Sequence, residues 1–334
     1  MIRISQIKMP VAHRKEELPE KAAEVLHIGK DAVLSCRIVK KSIDARKKPD
    51  IYFIYTLDVE VAEEERLLRR LSRNSHTGAG KRGIQIQKAE ETVYHFPEVP
   101  VPSDARRPVI VGTGPAGLFC GYLLARHGYR PILLERGKDV ERRQQDVALF
   151  WEKGILQPDS NVQFGEGGAG TFSDGKLNTL VKDKNGRNRE VLRIFVHAGA
   201  PEEILYEAKP HIGTDILMRI VRNMREEILA WGGEVRFESK LTDIVIGNGS
   251  VCGVVINNVE RLEADKVVLA VGHSARDTFQ MLYERGIPME AKAFAVGLRV
   301  EHPRQMIDRI QYGMEESPFL PAADYKVTAQ TAGG

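Results

Sequence analysis

Long apolar runs are missing from this 334-residue chain. No stretch approaches the roughly 18 consecutive apolar residues that mark a helix crossing a bilayer. The first residues, Met1 to Lys8, alternate apolar and polar side chains like a strand and lack the apolar centre of a secretion signal. Cysteine is scarce as well. Cys36, Cys120 and Cys252 stand far apart with no C-x-x-C pair, so a disulfide framework, a cysteine zinc site and a dithiol redox centre all lack support. No His, Cys and Asp cluster has metal-ligand spacing. No G-x-S-x-G elbow is present, and Gly78-Ala-Gly-Lys81 misses the spacing of a phosphate-binding P-loop. A cytoplasmic protein without a metal site is the expectation.

Glycine, in contrast, is plentiful and clustered. Val109-Ile-Val-Gly-Thr-Gly-Pro-Ala-Gly-Leu118 reads as a buried strand, a tight turn and the start of a helix. Gly112, Gly114 and Gly117 form G-x-G-x-x-G: the first permits the turn, the second lets backbone approach a pyrophosphate, the third lets helix and strand touch. Pro115 suits a first helical position, since its missing N–H has no partner there anyway. With Ala116 it opens a helix whose positive end would face phosphates. A second strand, Pro131 to Leu134, ends in Glu135, 23 residues after Gly112. A dinucleotide fold places a carboxylate there for the adenosine ribose hydroxyls.

Ahead of this motif lies a different pattern. Strands are expected at 2–8, 32–39, 51–61 and 84–96, with helices at 16–26 and 63–71 and a polar turn over Ile43 to Asp50. The order β-α-β-β-α-β matches a small ferredoxin-like α+β module over residues 1–96. Prolines 97, 100 and 102 mark a semi-rigid linker over 97–108. Residues 1–97 carry 19 Lys and Arg against 14 Asp and Glu, and the remainder carries 30 against 32. A solvated surface explains that basic excess more simply than nucleic-acid binding does.

A second glycine-rich stretch follows, Phe164-Gly-Glu-Gly-Gly-Ala-Gly-Thr-Phe-Ser-Asp-Gly-Lys-Leu177. Phe164 and Phe172 would tie its ends, leaving backbone N–H groups to meet a phosphate or a flat ring. With Gly112 to Leu118 and Leu134-Glu-Arg-Gly137, this stretch resembles the two-dinucleotide-fold flavoproteins. Within them it is most similar to an uncharacterised bacterial FAD-dependent dehydrogenase/oxidoreductase family that carries a small α/β domain in front. The resemblance spans essentially the whole chain and is densest over 109–178. It implies FAD as cofactor and NAD(P)H as a candidate electron donor. It puts Glu135 on the adenosine ribose with Arg136 beside it, Arg143 near the pyrophosphate, Leu241 near the adenine, and Gly167, Gly168, Ala169, Gly170, Thr171 and Asp174 toward the flavin.

The FAD-binding domain is then expected over 109–185 and 232–280, a Rossmann-like α/β fold interrupted by a helical segment at 186–231. Ile216, Leu217, Ile220, Met224 and Ile228 recur at helical spacing, with Thr214 as the N-cap. Strands at 234–237, 241–246 and 251–257 precede Val267 to Gly272, which looks like a return to the main sheet, with Gly272 at the cofactor. Phe294 to His302 alternates like a strand and opens a substrate-side domain over 281–334. The closing strand and helix of such flavoproteins do not follow. The expectation is a fragment of a longer flavoprotein, incomplete at its C-terminus and poor at retaining flavin alone.

Flavin performs the redox step, so a protein acid or base is optional. His211, His273, His302, Asp174 and Lys176 are candidates, and none is assigned as catalytic. An FAD-dependent oxidoreductase acting on a small molecule fits the glycine motifs. Two other readings stay open: a flavoprotein acting with RNA through its basic module, which would need exposed aromatics such as Tyr52, Phe53 or Tyr55, and a non-enzymatic flavin sensor.

Overall fold

The computed structural model describes residues 1–74, 83–97, 99–100, 104–172, 175–177, 179, 181–294, 296–298, 300–325 and 329–330. Contacts divide the chain into two units, one of residues 1–91, 205–209 and 293–334, the other of residues 92–204 and 210–292.

The first unit is built on β1 (Ile2–Pro10), α1 (Glu17–Leu26), β2 (Val33–Lys47), β3 (Asp50–Val61), α2 (Glu64–Asn74) and β4 (Gln85–Lys88). The strands form one antiparallel sheet in the order β2-β3-β1-β4, which is the split βαβ arrangement. In β1 the buried set moves from Ile2 and Ile4 to Ile7 and Met9. A bulge between Ile4 and Ile7, with Gln6 at φ 65°, causes this change of phase. Odd residues of β3, Ile51 to Val61, line the core, and α1 adds Leu18, Ala22 and Leu26 from one helical face.

Two expectations for this unit change. The turn over 43–50 shrinks to Lys48-Pro49, because Ile43 and Asp44 pair with Phe53 and Tyr52 and carry β2 to Lys47. The last strand covers only Gln85–Lys88, the part that finds β1 as a neighbour. Phe53 and Tyr55 are buried, and Tyr52 lies under the Lys8 ammonium at 3.7 Å. Phe53 and Tyr55 therefore present no exposed stacking face.

The second unit holds the glycine motifs. Its elements are β5 (Val109–Val111), α3 (Pro115–Arg126), β6 (Ile132–Leu134), α4 (Val140–Lys153), α5 (Arg187–His197), α6 (Thr214–Ala230), β7 (Glu234–Arg236), β8 (Leu241–Gly247), β9 (Ser250–Ile256), β10 (Glu260–Glu263), β11 (Val267–Leu269) and α7 (Arg276–Glu284). A parallel sheet in the order β11-β5-β6-β7 puts the first strand of the motif near the centre. This is the Rossmann order, in which ligands lie at the carboxyl ends of the strands.

Alternation along β5 serves both faces. Ile110 packs toward α3, α5 and α6, while Val109 and Val111 pack toward α7 and the small antiparallel sheet β10-β9-β8. Asn248 and Gly249, both at positive φ, turn β8 into β9. Gly213, not Thr214, is the N-cap of α6, and no side chain caps it.

Two further stretches complete the first unit. Residues 205–209 add to the free edge of β2, where Lys41 N donates to the Tyr206 carbonyl at 2.7 Å and Ala208 N to the Lys41 carbonyl at 2.9 Å. Residues 293–334 contribute α8 (Arg304–Tyr312), with Tyr312 and Leu320 buried in the core of the unit. None of the described residues of the strand expected over 294–302 lies in a strand. Phe294, Val296, Leu298 and Val300 are all well exposed, and among the described residues no strand lies beside them to pair with. Alternation supplies an apolar face, but a strand also needs a neighbour's N–H and C=O groups.

Candidate functional site

The site grows from the end of β5. Gly112 sits at φ +97°, and an added Cβ would stand 2.5 Å from the Ala270 carbonyl oxygen, so the turn runs against the end of β11. At Gly117 a Cβ would overlap the Gly112 carbonyl. Both glycines are demanded by the fold itself. Gly114 is different. It is the N-cap of α3 at φ −65°, it offers no side-chain cap, and a Cβ there would meet only the Gly168 Cα at 3.9 Å. Pro115 and Ala116 follow on the exposed first turn.

The second glycine loop lies over this turn. Gly167 N donates to the Thr113 carbonyl at 2.9 Å, and a Cβ on Gly168 would stand 2.9 Å from the Gly114 Cα. Ala169 to Phe172 form a short 3₁₀ turn with Ala169 exposed and Thr171 buried. Gly272, at φ +73° with open space around it, is exposed two residues after Ala270, which contacts the Gly112 turn. Thus Gly112, Gly114, Pro115, Ala116, Gly117 and the loop residues Gly167 to Thr171 come together, with Gly272 nearby. Asp174 lies outside the described residues.

Arg143 enters from α4 and is fully buried. Its Nε donates to the Asn161 carbonyl at 2.8 Å, and its Nη1 donates to the carbonyls of Glu166 at 2.6 Å and Gly168 at 2.9 Å. Its guanidinium lies 4.8 Å from the Phe172 ring centre, and Nη2 has no hydrogen-bond partner among the described residues. Burial pulls its pKa down to about 10, against the pull of Glu135 and Glu166. Arg143 therefore holds the loop by its carbonyls.

Glu166, fully buried, accepts from the Val140 N–H at 2.8 Å and from Arg225 at 2.8 Å. Burial drives its carboxyl up to about 7, opposed by Arg225. Glu135 is 4% exposed. Its carboxylate takes four donors from the chain: Thr113 N and Oγ1, both at 2.8 Å, Gly137 N at 2.9 Å and Gly165 N at 3.0 Å.

Beside it, the Arg136 guanidinium lies 4.4 Å from the Phe164 ring centre. It pairs with Asp277 at 2.9 Å, and Lys240 pairs with the same carboxylate at 2.6 Å. Leu241 is buried with Val109, Val111, Ile132 and Leu134, so its side chain belongs to the core.

His211 forms an isolated bridge with Lys176, His273 is exposed, and His302, in the first unit, lies 2.7 Å from the Tyr325 hydroxyl. Among the described residues no group of His, Cys, Asp or Glu side chains has the arrangement of a metal site. A cavity of about 500 Å³, lined by Tyr94, Phe96, Leu123, Arg126, His127 and Glu190, sits at the C-terminal end of α3, away from the glycine turn.

Several partners escaped the motif reading: Thr113, Gly137, Asn161, Gly165, Glu166, Arg225, Lys240 and Asp277. Gly137 and Gly165 carried a signal, being glycines beside recognised motifs. Arg225, Lys240 and Asp277 carried none, since only the folded chain brings them near.

A parallel sheet in this order, with a glycine turn at the carboxyl end of its first strand and a bare helix N-terminus, defines a dinucleotide-binding domain of the Rossmann type. Comparison with known proteins agrees. Residues 110–141 match the family described as an NAD(P)-binding Rossmann-like domain, residues 293–334 match an FAD-dependent protein, C-terminal domain-like, and residues 1–60 match a domain of unknown function. A protein of Clostridium beijerinckii is 44% identical over 332 residues, which is 99% of this chain and 60% of the relative. These matches support a relationship of the chain to FAD-dependent proteins.

The chain spans 60% of the relative's length. Among solved structures, THI4 of Thermovibrio ammonificans is similar with a TM-score of 0.36 and 23% identity, covering 54% of this chain and 62% of that one. Glycine oxidase of Bacillus cereus is similar with a TM-score of 0.30 and 14% identity, covering 54% and 60%. No described helix is long and apolar enough to cross a membrane.

Proposed function

We propose that this chain holds FAD at the carboxyl edge of its parallel sheet, and that the protein it represents is an FAD-dependent oxidoreductase acting on a small molecule. The contrast among the three motif glycines carries the reading. Gly112 and Gly117 have steric reasons within the fold, whereas a Cβ on Gly114 would make only an ordinary contact, 3.9 Å from the Gly168 Cα. A glycine that the fold does not need, placed at a helix N-cap, suits close approach by a pyrophosphate.

In this reading the first turn of α3, from Gly114 to Gly117, faces the phosphates with its N–H groups and positive end. The loop from Gly167 to Thr171 borders the flavin side, and Arg143 keeps it in place by its carbonyls. Arg136, held by Asp277 above Phe164, flanks the adenosine end. Gly272 gives the end of β11 a backbone without a side chain beside the turn. Bound flavin would supply the hydride or electron transfer itself. The chain's residues bind, orient and shield it.

Titrating the purified protein with FAD, FMN and NAD and following flavin fluorescence tests this. Preference for FAD, lost in Gly114→Val with the fold retained, supports the reading. Binding of nicotinamide nucleotides alone would overturn it. Turnover with NADH or NADPH and a dye acceptor then separates an oxidoreductase from a flavin sensor.

A further inference from the structure

We propose that the cavity at the C-terminal end of α3 is a second binding site, for a small planar aromatic acid. It is separate from the glycine turns at the opposite end of that helix. All of its lining belongs to the second unit, and none of it to the glycine loops. Its volume of about 500 Å³ is that of an ordinary small-molecule site.

Three segments distant in sequence build the walls. Leu123 and Arg126 stand on the last turn of α3 with His127 capping it, and Glu190 stands on the first turn of α5. Tyr94, His95 and Phe96 come from the stretch after β4. The strand expected to reach Phe96 finds no partner past Lys88, and from Thr92 the chain belongs to the second unit. Two anchors hold this stretch. Gly186, the N-cap of α5 at φ +72°, lets it pass closely: a Cβ there would stand 2.9 Å from the Thr92 carbonyl oxygen and 3.0 Å from Tyr94 N. Further on, the Tyr129 hydroxyl donates to the Val99 carbonyl at 3.0 Å.

Ring surface sets the shape of the guest. Phe96 stacks on His127 with ring centres 4.0 Å apart and planes 13° from parallel, and Tyr129 meets Phe96 edge-on at 6.3 Å. Phe96 and His127 are each half-buried, so flat ring surface lines the cavity and favours a flat guest. Leu123 adds an apolar wall.

The charges set its sign. Arg126 stands 3.7 Å from Glu190, an ion pair beyond hydrogen-bond length, and its side chain is 51% exposed. Glu190 is also 3.7 Å from Arg193, so two guanidinium groups share one carboxylate. A guanidinium carries five N–H donors in a fork that matches a carboxylate. The helix end does not oppose an anion through open carbonyls. Those of Leu123, Leu124 and Ala125 already accept from the N–H groups of His127, Tyr129 and Gly128. A flat ring carrying a carboxylate meets both demands.

Calorimetric titration of the purified protein with four probes tests this. They are 2-naphthoate, the neutral 2-naphthalenemethanol, the non-planar anion decalin-2-carboxylate and the cation 2-naphthyltrimethylammonium. The first should bind, and the other three should bind about tenfold or more weakly than it does. In the wild type, 2-naphthoate should shift the ring protons of His127 and leave those of His211 in place. Arg126→Gln should weaken 2-naphthoate by about tenfold, the scale of a lost charge-assisted hydrogen bond, and leave the neutral alcohol unchanged. Phe96→Leu should weaken both. Added FAD should displace neither.

Absence of 2-naphthoate binding overturns the proposal, and so does tighter binding of the ammonium probe, the pattern of an aromatic cage for cations. Unchanged His127 signals or displacement by FAD would place the acid elsewhere and overturn it as well. These readings use the wild type alone, so they stand even if neither variant folds, and they stand whether or not FAD binds at the glycine turns.

Discussion

Adding one methyl group at each motif glycine should separate folding from binding. At Gly117 the new Cβ overlaps the Gly112 carbonyl, so helix and turn must part. Overpacking of this kind costs about 1–3 kcal/mol or more. At Gly112 the same clash, 2.5 Å from the Ala270 oxygen, adds to the strain of an L-residue at φ +97°. Backbone strain costs about 1–3 kcal/mol, so Gly112→Ala should lose about 2–6 kcal/mol in all. At Gly114 the φ of −65° is ordinary and the nearest atom is 3.9 Å away. Gly114→Ala should therefore stay within about 0.5 kcal/mol of wild type or gain slightly through the unfolded state. The same methyl group would push into a bound pyrophosphate and cost about 1–3 kcal/mol of FAD affinity, roughly a 5- to 150-fold weaker Kd. Urea unfolding gives the first quantity and fluorescence titration the second. A Gly114→Ala protein as unstable as Gly117→Ala, or one binding FAD as well as wild type, would refute the reasoning.

Three other perturbations follow from the same geometry. Arg143→Lys removes the fork that holds the loop carbonyls and leaves buried polar groups unpaired, so urea unfolding should show a loss of about 3–5 kcal/mol. Burial raises Glu166 from the ordinary 4.5 to about 7, so the folded state holds its proton more tightly than the unfolded state. Its stabilising contribution is complete below about pH 4.5 and is lost as pH rises toward 7. Glu166→Gln should accordingly be more favourable relative to wild type at pH 8 than at pH 5 in paired melting curves. In the first unit, burial pushes the Asp58 carboxyl up, but Arg3 and Arg37 outweigh burial and hold it below its ordinary 3.8. That contribution is present above pH 3.8 and fades as pH falls through the lowered value, so Asp58→Asn should lose about 1–3 kcal/mol at pH 7 and less in acid.

What could be read before folding was local. Val109 to Glu135 contains strand, turn, helix and strand within one short stretch, and each glycine's demand is met by near neighbours. The β-α-β-β-α-β order was legible because β3 and α1 keep clean periods of two and about four. Strand ends were less so: β2 runs to Lys47 only because β3 continues opposite it, and β4 stops where β1 stops. The apolar alternation of Phe294 to Val300 has the pattern of a strand, yet none of its described residues lies in one, because pairing is a property of two segments. The same holds in the site. Glu135 carried the motif's expected role, yet its four donors include Gly165, 30 residues onward, which no spacing rule connects to it. The resemblance implies a place for Arg143 near the pyrophosphate, while its bonds to the carbonyls of Asn161, Glu166 and Gly168 depend on how the loop folds back.

Equilibrium titration of the purified protein with FAD, set beside the same titration of Gly114→Val, tests the central claim most directly. Saturable binding with quenched flavin fluorescence in the wild type, weakened at least tenfold in a variant that still unfolds cooperatively, is the predicted result. Equal FAD binding by both proteins, or none by the wild type, would contradict it.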